Sequence, residues 1–262
     1  MGFLKSLLDS VKAEETPHEV IMNNCWGFLS TRSGLGVSTF IDEIAILASE
    51  SMRVCVMDCD PLSNYYFSRY FGNVNPKNVP SFGKRFENAE TPLNECLISV
   101  SDKYKILCFG DTPNNIIFNM ETSVIVKTIE ELREHFDLVL LDIPYQPVME
   151  TFLMAVSGTG KLFGMIPPTT DTIFTVSKLK NLLNVAKLDD KLTYFIVMQV
   201  PHDMSVRSAF EKKNMKIIME VEDNPNIRKY ALTNPVTVME APGKQIQNFR
   251  SSVERLLEMM IE

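Results

Sequence analysis

Short apolar runs alternate with amphipathic segments from residue 19 onward, and this alternation constrains the fold more than any other feature. Strands that are apolar throughout are typical of parallel sheets covered on both faces, and the segments between them carry apolar side chains at helical spacing. The sequence therefore predicts an α/β fold with a doubly wound, mostly parallel sheet. The predicted strands are 20–29, 52–58, 105–109, 137–143, 161–166, 192–199 and 216–221, and the predicted helices are 38–50, 63–71, 121–135, 147–156, 171–187, 204–213 and 243–260.

Two regions depart from this alternation. Residues 2–13 carry apolar side chains at helical spacing, and a polar stretch follows them, so residues 1–18 are predicted to form an amphipathic helix and a linker. This helix could pack on its own domain or on a second copy; alternatively, it could contact a membrane surface or a partner groove. Residues 19–262 are predicted to be a single domain, in which 72–104 are too irregular for an assignment.

A loop with two glycines follows the first predicted strand. It reads Ser30-Thr31-Arg32-Ser33-Gly34-Leu35-Gly36-Val37-Ser38-Thr39. Between a strand and a helix, such glycines let backbone N–H groups turn towards a phosphate, and the helix N-terminus favours negative charge. Ser38 stands where a Mg²⁺-binding hydroxyl belongs, but Val37 occupies the usual position of a phosphate-binding lysine. The sequence therefore predicts a phosphate site without its main positive charge.

Two further predicted strands end at carboxylates. Asp58 and Asp60 stand at the end of the second strand, before Pro61, and Asp142 ends the strand at 137–143. Ligands of open α/β sheets bind at the carboxyl ends of the strands, so these side chains should converge on the glycine loop. A carboxylate such as Asp142 has the form of a Mg²⁺-linked residue in phosphate-loop proteins.

Together these motifs resemble those of the ParA/MinD superfamily of deviant Walker-type P-loop ATPases. The loop at 32–39 is similar to the family form K-G-G-x-G-K-[ST]-[ST], Asp58-Cys59-Asp60-Pro61 resembles its D-x-D-P motif, and Asp142-Ile143-Pro144 resembles its D-x-P motif. The resemblance spans roughly residues 19–260. It implies a ParA/MinD-like P-loop NTPase domain and a homodimer.

The resemblance also implies a nucleotide, ATP or ADP, bound with Mg²⁺. Gln199 would take the place of an adenine-contacting Asn, and the segment from Asp223 would be the base-binding loop. Ser38 and Asp142 would serve the metal, and Asp60 would orient the attacking water, with a structural or switch role as its alternative. The implied nucleotide-binding residues are Arg32, Ser33, Gly34, Leu35, Gly36, Val37, Ser38, Thr39, Gln199, Asp223, Asn224 and Pro225.

Two departures from the family pattern bear on activity. Arg32 replaces the signature lysine, which keeps a positive charge in a planar form, although it could also be an ordinary solvated residue. Val37 replaces the phosphate-loop lysine, and losing a hydrogen bond to a charged group, worth ~1.5–3 kcal/mol, would weaken nucleotide binding roughly 10- to 100-fold. Hydrolysis should suffer more, because that lysine neutralises charge developing during phosphoryl transfer. We therefore predict weak or absent ATPase activity, unless Arg32 or another cation substitutes.

Composition limits the classes of partner. The 262 residues include 26 Lys and Arg against 33 Asp and Glu, a net charge of -7, so a DNA partner is not expected. The five cysteines lie mostly within apolar runs without metal-site spacing, which predicts buried, reduced thiols. The sequence has no signal-peptide pattern and no apolar run near 18 residues, so we expect a cytoplasmic protein, peripheral at most to the inner face of a membrane.

Two main functional hypotheses follow. The first is a nucleotide-dependent positioning protein that dimerises and docks to a membrane-associated or polar machine such as a pilus or secretion system. The glycine loop is similar in this respect to those of TadZ/CpaE-type pilus-localisation proteins, which also lack the usual lysine. The second is a pseudo-ATPase scaffold that works without nucleotide. Plasmid or chromosome partition is a third, less favoured because of the acidic net charge.

Overall fold

A computed structural model of the chain describes residues 24–63, 65–71, 79–121, 123–144, 149–225, 227 and 244–261. The predicted N-terminal helix and linker lie outside the described residues, as do residues 20–23 of the first predicted strand and most of the segment after Pro225. Within the described part of the chain, no helix is long and apolar enough to cross a membrane.

One sheet forms the centre of the fold. All seven predicted strands are present, and the sheet is parallel except for one short antiparallel strand at its edge. The strand order is β3-β4-β2-β5-β1-β6-β7-β8. The strands are β1 Cys25–Ser30, β2 Val54–Asp58, β3 Ile98–Ser99, β4 Tyr104–Leu107, β5 Leu138–Ile143, β6 Lys161–Ile166, β7 Leu192–Val200 and β8 Lys216–Glu222.

Helices cover both faces of this sheet, as predicted. Apolar side chains of α1, α2 and α9 form a buried cluster on one face, and those of α5, α6 and α7 form a second cluster on the other. The central strands are buried on both faces for this reason. The described helices are α1 Val37–Ala48, α2 Tyr65–Phe71, α3 Gly83–Glu87, α4 Asn114–Phe118, α5 Ser123–His135, α6 Met149–Gly158, α7 Thr172–Val185, α8 Arg207–Glu211 and α9 Lys244–Ile261.

The differences from the predicted elements are confined to short ones. The irregular region contains α3, a 3₁₀ turn at Leu93–Glu95 and strand β3, and α4 was not expected either. Each of these four elements has only two to five residues, so no apolar period can develop within it. The predicted helix at 204–213 is helical only in α8. The predicted reduced thiols are confirmed as five free, buried cysteines.

The strand order creates a crevice at one edge of the sheet. After β1 the chain crosses to β2 on one side, with β5 between them, and later to β6 on the other side. Such a switch in direction leaves the carboxyl ends of the central strands open to a ligand. The register of β2 and β5 places Asp58 directly beside Asp142.

Candidate functional site

A cavity of about 320 Å³ lies at the carboxyl ends of β1, β2 and β5. It joins the glycine loop to the three carboxylates that the sequence predicted to converge. Its lining consists of Ser30, Ser33, Gly34, Leu35, Gly36, Val37, Ser38, Thr39, Asp58, Asp60, Ser63, Tyr65, Asp142 and Pro144. Most of the predicted site residues are therefore brought together in one place.

The backbone of the loop is shaped as a cradle. Gly34 and Gly36 adopt φ angles of 77° and 78°, in the left-handed region that side chains disfavour, and a Cβ at either would meet nothing within 4 Å. Helix α1 begins directly afterwards, with its first hydrogen bond from Phe40 N to Gly36 O at 2.9 Å. The N–H groups of residues 33–39 donate to no acceptor within the described residues. They form an anion-binding surface at the start of a helix.

Neighbouring strands hold this loop in place. Both the amide and the hydroxyl of Thr31 donate to the carbonyl of Met165 in β6, at 3.0 and 2.9 Å. From the other side, Gln199 Nε2 donates to Gly34 O at 2.7 Å. Gln199 itself has a positive φ of 60°, a conformation uncommon for a residue other than glycine. Gln199, the predicted base-contacting residue, thus supports the glycine loop.

The described residues that line the cavity bring no positive charge to it. Val37 is only 5% exposed and packs with Leu35 and Phe40 in the apolar cluster beneath α1. None of the described residues that line the cavity is Lys, Arg or His. Arg32 is exposed and is not part of the lining. A hydrogen bond with Thr169 and, to a smaller extent, the charge of Arg32 lower the pKa of Asp171, which follows β6.

Two buried carboxylates face each other at the base of the cavity. The carboxylate of Asp58 accepts a hydrogen bond from Asp60 N at 3.0 Å through Oδ1, but its Oδ2 is buried with no partner among the described residues. Burial raises the pKa of Asp58 well above its usual range, and the neighbouring Asp142 raises it further. Burial also raises the pKa of Asp142, although hydrogen bonds from Ser38 and Tyr66 lower it in part. Among the described residues that line the cavity, no cationic side chain faces this pair.

These groups fit a magnesium ion. A buried carboxylate oxygen without a partner, a second carboxylate and the Ser38 hydroxyl are oxygen ligands of the kind that Mg²⁺ prefers. No group of three or more His, Cys, Asp or Glu side chains in the described segments is arranged to hold a metal alone. This agrees with the usual behaviour of Mg²⁺, which takes one or two carboxylates and completes its shell with water and phosphate oxygens.

No protein-family model matches the sequence, and a comparison with curated proteins found no significant match. Solved structures do match. A ParA family ATPase from Chlorobium tepidum TLS aligns with a TM-score of 0.74 at 14% identity, covering 92% of this chain and 99% of that one. This chain has the fold of the ParA and MinD ATPases. The MinC:MinD cell division protein complex of Aquifex aeolicus gives a TM-score of 0.71 at 17% identity over 89% and 95% of the two chains.

A third structure is the septum site-determining protein MinD complexed with Mg-ADP from Pyrococcus horikoshii OT3. It aligns with a TM-score of 0.68 at 16% identity and covers 88% of this chain and 94% of that one. At such identities the likeness extends to the fold. The ParA/MinD-like fold class predicted from the sequence is therefore confirmed.

A second, smaller cavity of about 60 Å³ adjoins the first within this ParA/MinD fold. The two share Leu35, Gly36 and Thr39 as a common wall. The smaller cavity is also lined by Gln199, Asp223 and Asn224, together with apolar side chains such as Met198, Val221, Ile227 and Phe249. Pro225 is exposed and does not line it. Three of the four predicted base-binding residues therefore lie together beside the phosphate loop.

Asp60 lies on the wall of the main cavity and is half-buried. One of its oxygens, Oδ1, accepts a hydrogen bond from Leu62 N at 2.9 Å, which closes the turn after β2. Asp60 therefore has a structural role in this turn. Its role in orienting the attacking water stays a prediction.

The sequence analysis missed two tyrosines of α2. The Tyr66 hydroxyl donates to Asp142 Oδ2 at 3.1 Å, and the Tyr65 hydroxyl shares a hydrogen bond of 3.0 Å with Thr39 Oγ1. Their position at the start of a helix directly after the Asp58–Pro61 strand end is the signal that could have indicated them. Aromatic residues there are more often interpreted as core, and Tyr66 is in fact buried.

Proposed function

We propose that this protein binds ATP or ADP as a complex with Mg²⁺, hydrolyses ATP weakly or not at all, and acts as a dimeric positioning protein. The observation that carries the proposal is the main cavity: free loop amides on one side and paired carboxylates on the other, set in a ParA/MinD fold. Amides bind phosphate oxygens, and carboxylates bind a cation that bridges to them. The neighbouring cavity gives the base a place beside the loop.

The cation has a larger part here than in a site with a lysine. When bound, Mg²⁺ supplies the positive charge that Val37 does not. Asp58, Asp142 and Ser38 would hold it, and the amides of 33–39 would hold the phosphates. No described side chain of the cavity brings positive charge to a transferring phosphoryl group, and such stabilisation is a major part of phosphoryl-transfer catalysis. Binding is therefore retained more readily than turnover.

Two exposed apolar side chains support the proposed dimerisation and partner recruitment. Leu62, after β2, and Phe174, in the first turn of α7, are 69% and 73% exposed. Both lie near the edge of the sheet that carries the cavity, where a second copy could cover them. One solved neighbour is a MinC:MinD complex, a precedent for a protein partner on this fold. Membrane contact would fall to residues 2–13, outside the described residues.

A nucleotide-independent scaffold is the second candidate. The observation that favours it is the packing of Val37, which is buried with Leu35 and Phe40 as an ordinary core side chain. In this case the loop would serve only as the turn between β1 and α1. Partition of DNA stays less favoured because of the net charge of -7.

Titration calorimetry with ATP separates the two candidates. We expect binding with magnesium chloride and none that is measurable in EDTA, because phosphate and three carboxylates would repel each other without a cation. The double variant Ser38→Ala/Asp142→Ala should abolish binding. Absence of binding by the wild-type protein with Mg²⁺, or binding by the double variant equal to wild type, would favour the scaffold. Sedimentation with and without ATP then tests whether the nucleotide promotes dimers.

Restoring the missing charge is a direct test of the loop. The Val37→Lys variant should bind ATP 10- to 100-fold more tightly, about 1.4–2.8 kcal/mol, and should bind it measurably even in EDTA. Val37→Leu is the matched control, because it enlarges the side chain without charge and should not strengthen binding. No gain with lysine would mean that the loop is not shaped for phosphate.

A further inference from the structure

Helix α2 is attached to the proposed cation site through a buried hydroxyl. Tyr66 is 1% exposed, and its hydroxyl donates to Asp142 Oδ2 at 3.1 Å. The same hydroxyl lies 3.5 Å from the carbonyl oxygen of Ser38. It therefore touches the carboxylate and the backbone of the hydroxyl residue that would hold Mg²⁺. By contrast, Asp58 Oδ2 has no such donor in the described part of the chain.

The rest of α2 is locked to α1 by a buried ionic cluster. Arg69 Nε lies 2.5 Å from Asp42 Oδ2, and Arg69 Nη2 lies 2.9 Å from Glu43 Oε1. The side chains of both acids are fully buried, and that of Arg69 is 4% exposed. Tyr70 and Tyr104 also donate to Asp42 Oδ1, at 2.7 and 2.5 Å. Helix α2 can hardly shift along α1 without breaking several charge-assisted hydrogen bonds.

The hydroxyl of Tyr66 has a definite effect on its carboxylate. A hydrogen bond donated to the Asp142 carboxylate restricts the rotation of that side chain. A cation benefits from this restriction, because it gains little from a carboxylate that has to be reoriented. Groups that orient a metal's ligands in this way commonly change metal affinity 10- to 100-fold when they are removed.

We infer that Tyr66 is a positioning residue for the cation: it holds the Asp142 carboxylate ready, and the Arg69 cluster keeps α2 where that hydroxyl can reach. The inference rests on the proposed function, since it concerns the Mg²⁺ of the same nucleotide site. It assigns α2 a part in ligand binding that its apolar packing does not require.

The test is a comparison of two tyrosines on the same helix. In Tyr66→Phe, the Mg²⁺ concentration that gives half-maximal ATP binding should rise about tenfold, as expected for the loss of one hydrogen bond to a charged group. Tyr70→Phe is the matched control, because it also removes a hydroxyl that donates to an aspartate, Asp42. It should lower the melting temperature, but because Arg69 still holds α2 against α1, it should shift the Mg²⁺ midpoint far less than Tyr66→Phe does. A midpoint shift of equal size in both variants, or in neither, would overturn the inference.

Two further arms keep the result interpretable. Circular dichroism checks that both variants fold, and if Tyr66→Phe does not, Arg69→Lys takes its place, since it loosens α2 while keeping the charge. Arg69→Lys should also raise the Mg²⁺ midpoint, and an unchanged midpoint in this folded variant would contradict the inference. If the wild-type protein binds no ATP with Mg²⁺, the proposed function fails and this inference with it. If wild type binds and Tyr66→Phe matches Tyr70→Phe, the inference alone fails.

Discussion

Two pairs of buried carboxylates lie close together in this molecule, and they are satisfied in opposite ways. On α1, Asp42 and Glu43 both form ion pairs with Arg69, and two tyrosines donate to Asp42. At the strand ends, Asp58 and Asp142 face each other, and none of the described residues that line the cavity there is Lys, Arg or His. Asp58 Oδ2 accepts no hydrogen bond from the described residues. All four carboxylates are buried. The difference lies in whether the chain itself supplies the compensating charge.

This contrast distinguishes a structural cluster from a ligand site. Burial raises the pKa of Asp42 to about 6 in spite of Arg69, while for Arg69 the carboxylates outweigh burial and raise its pKa. Ion pairs of 2.5 and 2.9 Å with Arg69 satisfy Asp42 and Glu43 within the chain, and we call them the closed pair. A buried pair that the chain does not neutralise costs stability in the free protein, and a bound cation recovers that cost. We therefore propose that the strand-end pair, Asp58 and Asp142, which we call the open pair, is the one that binds a cation.

Removing Arg69, the cation of the closed pair, should have the largest effect on the free energy of unfolding. Arg69→Met leaves two buried carboxylates uncompensated, and breaking a buried ion pair in this way typically costs about 3–5 kcal/mol. Urea unfolding measures the loss. Adding Asp42→Asn to this variant should recover part of it. Arg53→Met is the control, because the ion pair of Arg53 with Asp137 is exposed and should matter far less. Equal losses in the two arginine variants would remove the distinction between closed and open pairs.

Much of this arrangement could be predicted from the sequence, because it depends on local pattern. The seven strands were evident since each is apolar over its length, and the glycine loop and the strand-end carboxylates follow directly from them. The order of elements then fixes where they meet. The site residues at 33–39, 58, 60 and 142 line one cavity for that reason.

The Arg69 cluster could not be predicted in this way. In sequence, Asp42 and Glu43 stand within a helix as polar residues normally do on a solvated face, yet both are fully buried. Their partner, Arg69, lies 27 positions after Asp42 and 26 after Glu43, and no spacing rule connects them. Tyr66 meets Asp142 across 76 positions. Such contacts depend on how α2 packs, which the apolar pattern leaves open.

Neutralising Asp142 of the open pair should stabilise the ligand-free protein, whereas removing Arg69 from the closed pair should destabilise it. Burial raises the pKa of Asp142 to about 6, against 3.8 for an ordinary carboxyl. The folded protein thus holds its proton more firmly than the unfolded chain does, and this contribution to stability is lost as pH rises from about 4 to above 6. Asp142→Asn should therefore stabilise the ligand-free protein at pH 7.5, by about 1–3 kcal/mol, and by about half as much at pH 5.

Thermal unfolding at the two pH values checks this, with and without Mg²⁺. The ion should raise the melting temperature of wild type at pH 7.5 and lose that effect in Asp142→Asn. Asp60→Asn is the control: it changes a carboxylate of the same cavity outside the buried pair, and Mg²⁺ should still raise the melting temperature of this variant. Destabilisation by Asp142→Asn at pH 7.5 would mean that the open pair is compensated by a group of the chain after all.

Replacing Arg32 tests whether this residue supplies positive charge to the open pair. It has the smallest expected effect of these variants. It is exposed at the rim and absent from the lining, so the Arg32→Ala variant should change the ATP affinity of the single chain by no more than a factor of about three, roughly 0.7 kcal/mol. Calorimetry at protein concentrations below dimer formation measures it. A tenfold loss would show that the rim arginine has taken over from the missing lysine, and the open pair would then share a cation with the chain. If affinity holds but ATP no longer promotes dimers, the charge of Arg32 acts on the second copy instead.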